Sequence, residues 1–221
     1  KPKDLIKDQQ VHGFFKTLII SILVVVFYLI LTSNFTFSEI LRYSIFNVTS
    51  ILTGTGFTST NYNGWGTPII LLFLFITFIG GCAGSTTCGV KIFRLQIVFN
   101  NSKEMISKLI SPNRVVNKRY NGEHLSPEVT QSVITFLFIF ILTFIVLSVL
   151  LSFTGLDLLT SFSAAATSIS NVGPGLGQLI GPAYNFSQIP EIAKWLLSFG
   201  MLAGRLEFLT LIVIFNKSFW R

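Results

Sequence analysis

The chain has 221 residues, of which 51% are hydrophobic and only 11% charged, and its mean hydropathy is +0.69. That composition excludes a water-soluble domain of this size and identifies an integral membrane protein. The net charge of +7 does not signal a nucleic-acid partner, because the basic residues collect at the ends of apolar runs.

In chain order, the first apolar run covers 11–31 and is long enough, at about 1.5 Å per residue, to cross a hydrocarbon core of roughly 30 Å. No apolar leader with a cleavage site precedes it, and a chain that begins with Lys is expected to be a piece of a longer polypeptide. The segment 39–52 is too short and too polar to span. It is followed by TGTGF at 53–57, so it is expected to enter from outside, stop partway and return as extended backbone. Glu39 in its first turn suits the positive end of the helix dipole.

The run 68–99 is interrupted by Gly80, Gly81, Cys82, Ala83, Gly84, Ser85, Thr86, Thr87, Cys88 and Gly89. Ten small or polar residues in mid-span cannot form a lipid-facing helix at low cost, so the helix is expected to break there around a loop that faces away from lipid. A phosphate loop does not fit, since Val90 separates Gly89 from Lys91 and no Ser or Thr follows the lysine. A small-residue packing face would recur at helical spacing, whereas this run is continuous. Cys82 and Cys88 are too few for a disulfide framework and lack the company of a zinc site.

The stretch 100–126 is basic, with Asn-Gly at 121–122, and reads as a solvated connection. A second span at 129–151, a second short segment at 157–169, the loop NVGPGLG at 171–177 and a last span at 189–215 complete the chain. Arg205 lies at the centre of that last span, where an unpaired charge costs about 2.5–3.5 kcal/mol, so it is expected to meet carbonyls of the 80–89 loop below the filter. Glu207 projects from another face of the same helix.

If the spans alternate in direction, thirteen of the sixteen basic residues fall on one side: Lys1, Lys3, Lys7 and Lys16, then Lys91 through Arg119, then Lys217 and Arg221. This excess places both termini and the 100–126 connection in the cytoplasm, with Trp65 and Trp195 near the outer interface and Trp220 near the inner one.

Sliding the sequence by 117 residues aligns Ser44 with Ser161, Ser50 with Thr167 and Gly56 with Gly173, so the chain is an internal duplication. The units are 1–99, a pore repeat; 100–126, the basic connection; and 127–221, a second pore repeat. The fold class is therefore all-α integral membrane, with tandem helix–pore-loop–helix repeats and re-entrant pore helices. Backbone at membrane depth must line water or hold an ion. Gly54, Gly56, Gly173, Gly175 and Gly177 permit conformations in which carbonyl oxygens replace the water shell of a large monovalent cation.

SILTGTGFTST at 50–60, FIGGCAGSTTCGVKIFR at 78–94, SISNVGPGLG at 168–177 and GMLAGRLEFLTLIVIF at 200–215 together resemble the TrkH/KtrB potassium-uptake proteins, most closely the TrkH branch. The likeness covers nearly the whole chain and implies the third and fourth of four repeats around one pore. It implies potassium as the ion, held by backbone carbonyls of Thr53, Gly54, Thr55, Gly56, Ser170, Asn171, Val172 and Gly173, with the 80–89 loop and Arg205 as the gate. Gly54 departs from the family's Thr-Thr-Thr-Gly pattern, a change expected to loosen the filter without abolishing it. The resemblance further implies the inner membrane of a bacterium, a missing N-terminal half or a second copy to close the pore, a homodimer, and a cytosolic nucleotide-binding regulatory subunit. No Ser/His/Asp set, paired carboxylates or metal cluster emerges, so the chain is not expected to be an enzyme. A transporter coupling potassium to proton or sodium, and a non-conducting scaffold, are the competing functions.

Overall fold

The computed structural model describes residues 8–111 and 119–205. Expectations for Lys1, Lys3, Lys7, Arg114, Lys118, Glu207, Lys217, Trp220 and Arg221 lie outside the described residues.

Helix Gln9–Thr32 (α1) starts where the Asp8 carboxylate accepts from the Gln10 N–H at 2.8 Å. Only Ser21, Val25 and Leu29 are buried along it, one residue per turn, while Phe27 and Leu31 are each 67% exposed. A stripe this narrow joins the helix to its neighbour, and the outward apolar face suits hydrocarbon.

Helix Phe37–Leu52 (α2) is capped by Thr36, whose N–H and hydroxyl both donate to Glu39 Oε2, at 2.9 and 2.7 Å. Those donors hold the Glu39 carboxyl below its ordinary range. A 3-10 turn, Tyr62–Trp65, leads to helix Thr67–Thr77 (α3). Short strands Ile79–Gly80 (β1) and Val90–Lys91 (β2) then pair in parallel across the excursion 81–89. Helix Ile92–Ile110 (α4) follows. The expected break is present, but α4 continues past residue 99 into the basic connection. The extension NNSKEMISKLI keeps helical order because its residues form helix readily and Glu104 pairs with Lys108 one turn on, at 2.6 Å.

Strands Arg119–Tyr120 (β3) and Glu123–His124 (β4) form a hairpin turned by Asn121 and Gly122, at φ 54° and 89°. The second repeat comprises Pro127–Phe153 (α5), Leu158–Ser170 (α6) and Glu191–Arg205 (α7).

The two longest helices, α1 and α5, are strongly apolar and show most of their side chains outward; α6, rich in Ser, Thr and Ala, is buried from Thr160 to Ser170 apart from Phe162. A fold whose polar short helix is inside and whose Phe and Leu are outside is built for lipid. Two of the α6 hydroxyls are satisfied within the segment: Ser161 donates to the Leu156 carbonyl at 3.3 Å and Ser168 to that of Ala165 at 3.0 Å. Each repeat has its own core, one around Val25, Val48, Ile51 and Phe73, the other around Leu151, Ala164, Ile169 and Leu197. Val172 and Leu176 of the second loop belong to the first repeat's core and so tie the halves together.

Candidate functional site

The two glycine loops leave their helices in the same way. In the first, the Thr55 N–H donates to the Ser50 carbonyl at 3.0 Å; in the second, the Val172 N–H donates to the Thr167 carbonyl at 3.1 Å, the same pair one repeat later. The next N–H also turns back to the pore helix, from Gly56 to the Ser50 carbonyl at 3.3 Å and from Gly173 to the Thr167 hydroxyl at 2.8 Å. Gly54, Gly56 and Gly173 have φ of 69°, 75° and 118°, and Asn171 is left-handed at 51°. Such residues reverse the backbone without a regular ladder.

The loops meet. A Cβ on Gly56 would collide with the Val172 carbonyl oxygen, and one on Gly173 would lie 4.0 Å from the Gly56 Cα. Of the eight predicted filter residues, Gly56, Val172 and Gly173 are thus brought together. Thr53 and Thr55 join hydroxyls at 3.2 Å beneath them. Ser170 is buried at the end of α6, and the Asn171 amide donates to the Met201 carbonyl of α7 at 2.9 Å. Gly175 departs from the expectation for the loop glycines. It is not left-handed; its lack of a side chain makes room for Ile180, whose carbonyl accepts from the Gly175 N–H at 2.9 Å.

The broken helix lies against the first loop, since a Cβ on Gly54 would sit 3.0 Å from Thr87 Cγ2. Inside the break, the Ser85 hydroxyl donates to the Cys82 carbonyl at 2.6 Å, and both cysteines are free thiols. Arg205 Nη1 donates to the Thr86 carbonyl at 2.8 Å and approaches Cys88 Sγ at 3.7 Å. Between them opens a cavity of about 200 Å³ lined by Thr86, Cys88, Lys91, Arg94, Phe136 and Arg205. Arg94 stacks its guanidinium over the Phe136 ring at 3.7 Å. Among the described residues, Lys91, Arg94 and Arg205 bring three cationic side chains to this space.

Two groups of residues that pattern reading missed hold these pieces. Asn47, wholly buried in α2, donates to Ser59 Oγ at 2.8 Å and accepts from the Ser59 N–H at 3.1 Å; Ser163 of α6 makes the matching pair with Leu176, at 3.1 and 3.0 Å. The only sign in the sequence is polar side chains inside short helices, where each needs a partner.

At the start of α1, Gln10 Oε1 accepts from the Ala83 N–H of the break at 2.8 Å. Its neighbour Gln9 exchanges bonds with Asn121 of the hairpin, at 3.2 and 3.4 Å, and Gln96 of α4 donates to the Gln9 carbonyl at 2.8 Å. Tyr120 donates to Gln96 at 2.6 Å, and burial, then the charge of Asp8, pushes its phenol pKa up. The start of α1 therefore links the hairpin to the loop. If the 80–89 loop is a gate, Gln10→Ala, which removes the side chain that holds Ala83 among the described residues, is expected to raise leak through the complete assembly about two- to tenfold, the range one such hydrogen bond commands, as read by rubidium efflux from liposomes.

Two repeats, each a long apolar helix, a shorter helix ending in a glycine loop, and a further helix, with the two loops touching, define an all-α membrane transport protein. The TrkH profile of cation transport proteins matches residues 15–221, and the chain belongs to that family. It is 43% identical over 217 residues to the Trk system potassium uptake protein TrkI of Halomonas elongata, covering 98% of this chain and 44% of the relative. Its identity to the TrkH protein of Vibrio parahaemolyticus is 34% over 221 residues, or 45% of that relative. The crystal structure of the potassium transporter TrkH from Vibrio parahaemolyticus superposes with a TM-score of 0.89 at 34% identity, over 97% of this chain and 46% of the other. The chain thus spans less than half the length of the relatives it matches.

Proposed function

We propose that this chain supplies two of the filter loops of a potassium-uptake pore in the cytoplasmic membrane of a bacterium, with its termini inside. The observation that carries the reading is the contact of Gly56 with Val172 and Gly173, at equivalent positions of two repeats. Potassium is the transported substrate and not a cofactor. It sheds its water against main-chain carbonyls of Thr53, Gly54, Thr55, Gly56, Ser170, Asn171, Val172 and Gly173, and the pore helices α2 and α6 enter from outside without crossing. Their C-terminal ends aim partial negative charge at the membrane centre, which favours a cation.

The 80–89 loop obstructs the path below, and Arg205, bonded to Thr86, raises the cation barrier there. Two loops cannot surround an ion. A further half of the polypeptide completes the ring, a reading supported by relatives more than twice as long; a second copy would be the substitute. As the family resemblance implies, the complete protein works as a homodimer, and the 100–126 connection, with its hairpin, meets a cytosolic nucleotide-binding regulatory subunit.

Reversal potentials of liposomes holding the complete assembly test this directly. A potential that follows the potassium gradient at every pH and sodium concentration is expected. Dependence on the proton or sodium gradient would support coupled transport, and the absence of cation permeation would support a scaffold.

A further inference from the structure

The two loops touch, and the burial of Val172 and Leu176 in the first repeat's core is joined by a polar hold from outside both loops. The hold lies in the outer turn of the first repeat, Tyr62–Trp65. Tyr62 is 1% exposed and stacks on Phe73 at 4.4 Å, while Trp65 meets the same ring edge-on at 6.1 Å, so the turn is anchored to α3. Asn63 sits between these aromatics, its N–H fixed by Asn61 Oδ1 at 3.2 Å. Its amide reaches across to the second repeat and engages both sides of one residue. Nδ2 donates to the Gly177 carbonyl at 2.7 Å, and Oδ1 accepts from the Gly177 N–H at 3.4 Å.

The surroundings are shaped for this bond. A Cβ on Gly181 would collide with the Asn63 amide nitrogen and the Gly177 carbonyl. Ser163 grips the preceding residue, Leu176, from the second repeat's own pore helix. The returning arm of the second loop is therefore fixed on one side by its own repeat and on the other by Asn63. Thr58 adds a second tie between repeats, donating to the Pro182 carbonyl at 3.1 Å. The duplication does not repeat the clamp: the 117-residue slide sets Ile180 opposite Asn63, and Asn185, in the outer turn of the second repeat, bonds among the described residues only to nearby Ser187.

We propose that Asn63, which belongs to neither filter loop, is a positioning residue for cation selection: by holding Gly177 it sets the second loop at its distance from the first. This rests on the filter reading above. The test is the potassium-to-sodium permeability ratio, from bi-ionic reversal potentials of the complete assembly in liposomes. Asn63→Ala is expected to lower the ratio about three- to tenfold, the scale set by losing a paired amide contact, while Asn185→Ala leaves it unchanged. Asn63→Asp, isosteric but without the donor to Gly177, is expected to lower it as well, which decides the matter if the alanine variant is not recovered. A purely structural role would reduce folded protein and both fluxes together and leave the ratio as it was. An unchanged ratio in both Asn63 variants, or an equal fall in Asn185→Ala, overturns the clamp while the filter reading stands. An unsubstituted protein that does not select potassium sinks both.

Discussion

Gly56→Ala is expected to reduce potassium uptake by the complete assembly at least about tenfold. Gly56 has φ of 75°, where an L side chain costs about 1–2 kcal/mol of fold stability, a loss that normalising to protein in the membrane removes. The new methyl group would also collide with the Val172 carbonyl oxygen and crowd Pro174 Cδ, at 3.1 Å. The opposing atom is backbone and part of the proposed filter, so relief of the clash must move one loop or the other. Gly155, outside both loops and the break, is the matched control, since its φ is 89° but nothing lies within 4 Å of a Cβ there. Gly155→Ala carries similar strain without the collision and should retain most uptake, as measured by rubidium influx normalised to protein in the membrane. Equal losses in the two variants would show that backbone strain alone, and not the meeting of the loops, sets the requirement for glycine.

Arg205→Ala is expected to raise cation flux about tenfold or more. At roughly 5 Å and an effective dielectric near 20, one charge opposes a passing monovalent cation by about 3 kcal/mol, and water in the path reduces that figure. The substitution also frees the Thr86 carbonyl, to which Arg205 donates at 2.8 Å, and so unties the loop proposed as the gate. Arg205→Lys keeps the charge and a single donor and should stay close to the unsubstituted protein. Flux that is unchanged or lower in a properly folded Arg205→Ala variant would assign the side chain to holding helices together instead.

What pattern reading could reach was set by cost. GGCAGSTTCG stands out because small polar residues in an apolar run are expensive in lipid, and the chain breaks there between Gly80 and Val90. Gly54, Gly56, Gly173 and Gly177 were legible as left-handed backbone because the matching loops of a duplication expose them; Gly175, with the same spacing, serves packing against Ile180. The extension of α4 to Ile110 was not legible from hydropathy, since its stretch after Phe99 is polar and held by helix propensity and the Glu104–Lys108 pair. Contacts such as Gln10 with Ala83 and Asn63 with Gly177 join positions 73 and 114 residues apart. They depend on how the repeats dock, and no local spacing encodes that.

The account depends above all on an ion lying between the two loops. Anomalous diffraction from crystals of the complete assembly grown in rubidium or thallium measures this most directly. A peak bounded by the carbonyls of residues 53–56 and 170–173, lost when sodium replaces the heavier ion, is the predicted result; density only in the cavity beside Arg205, or none between the loops, would contradict it.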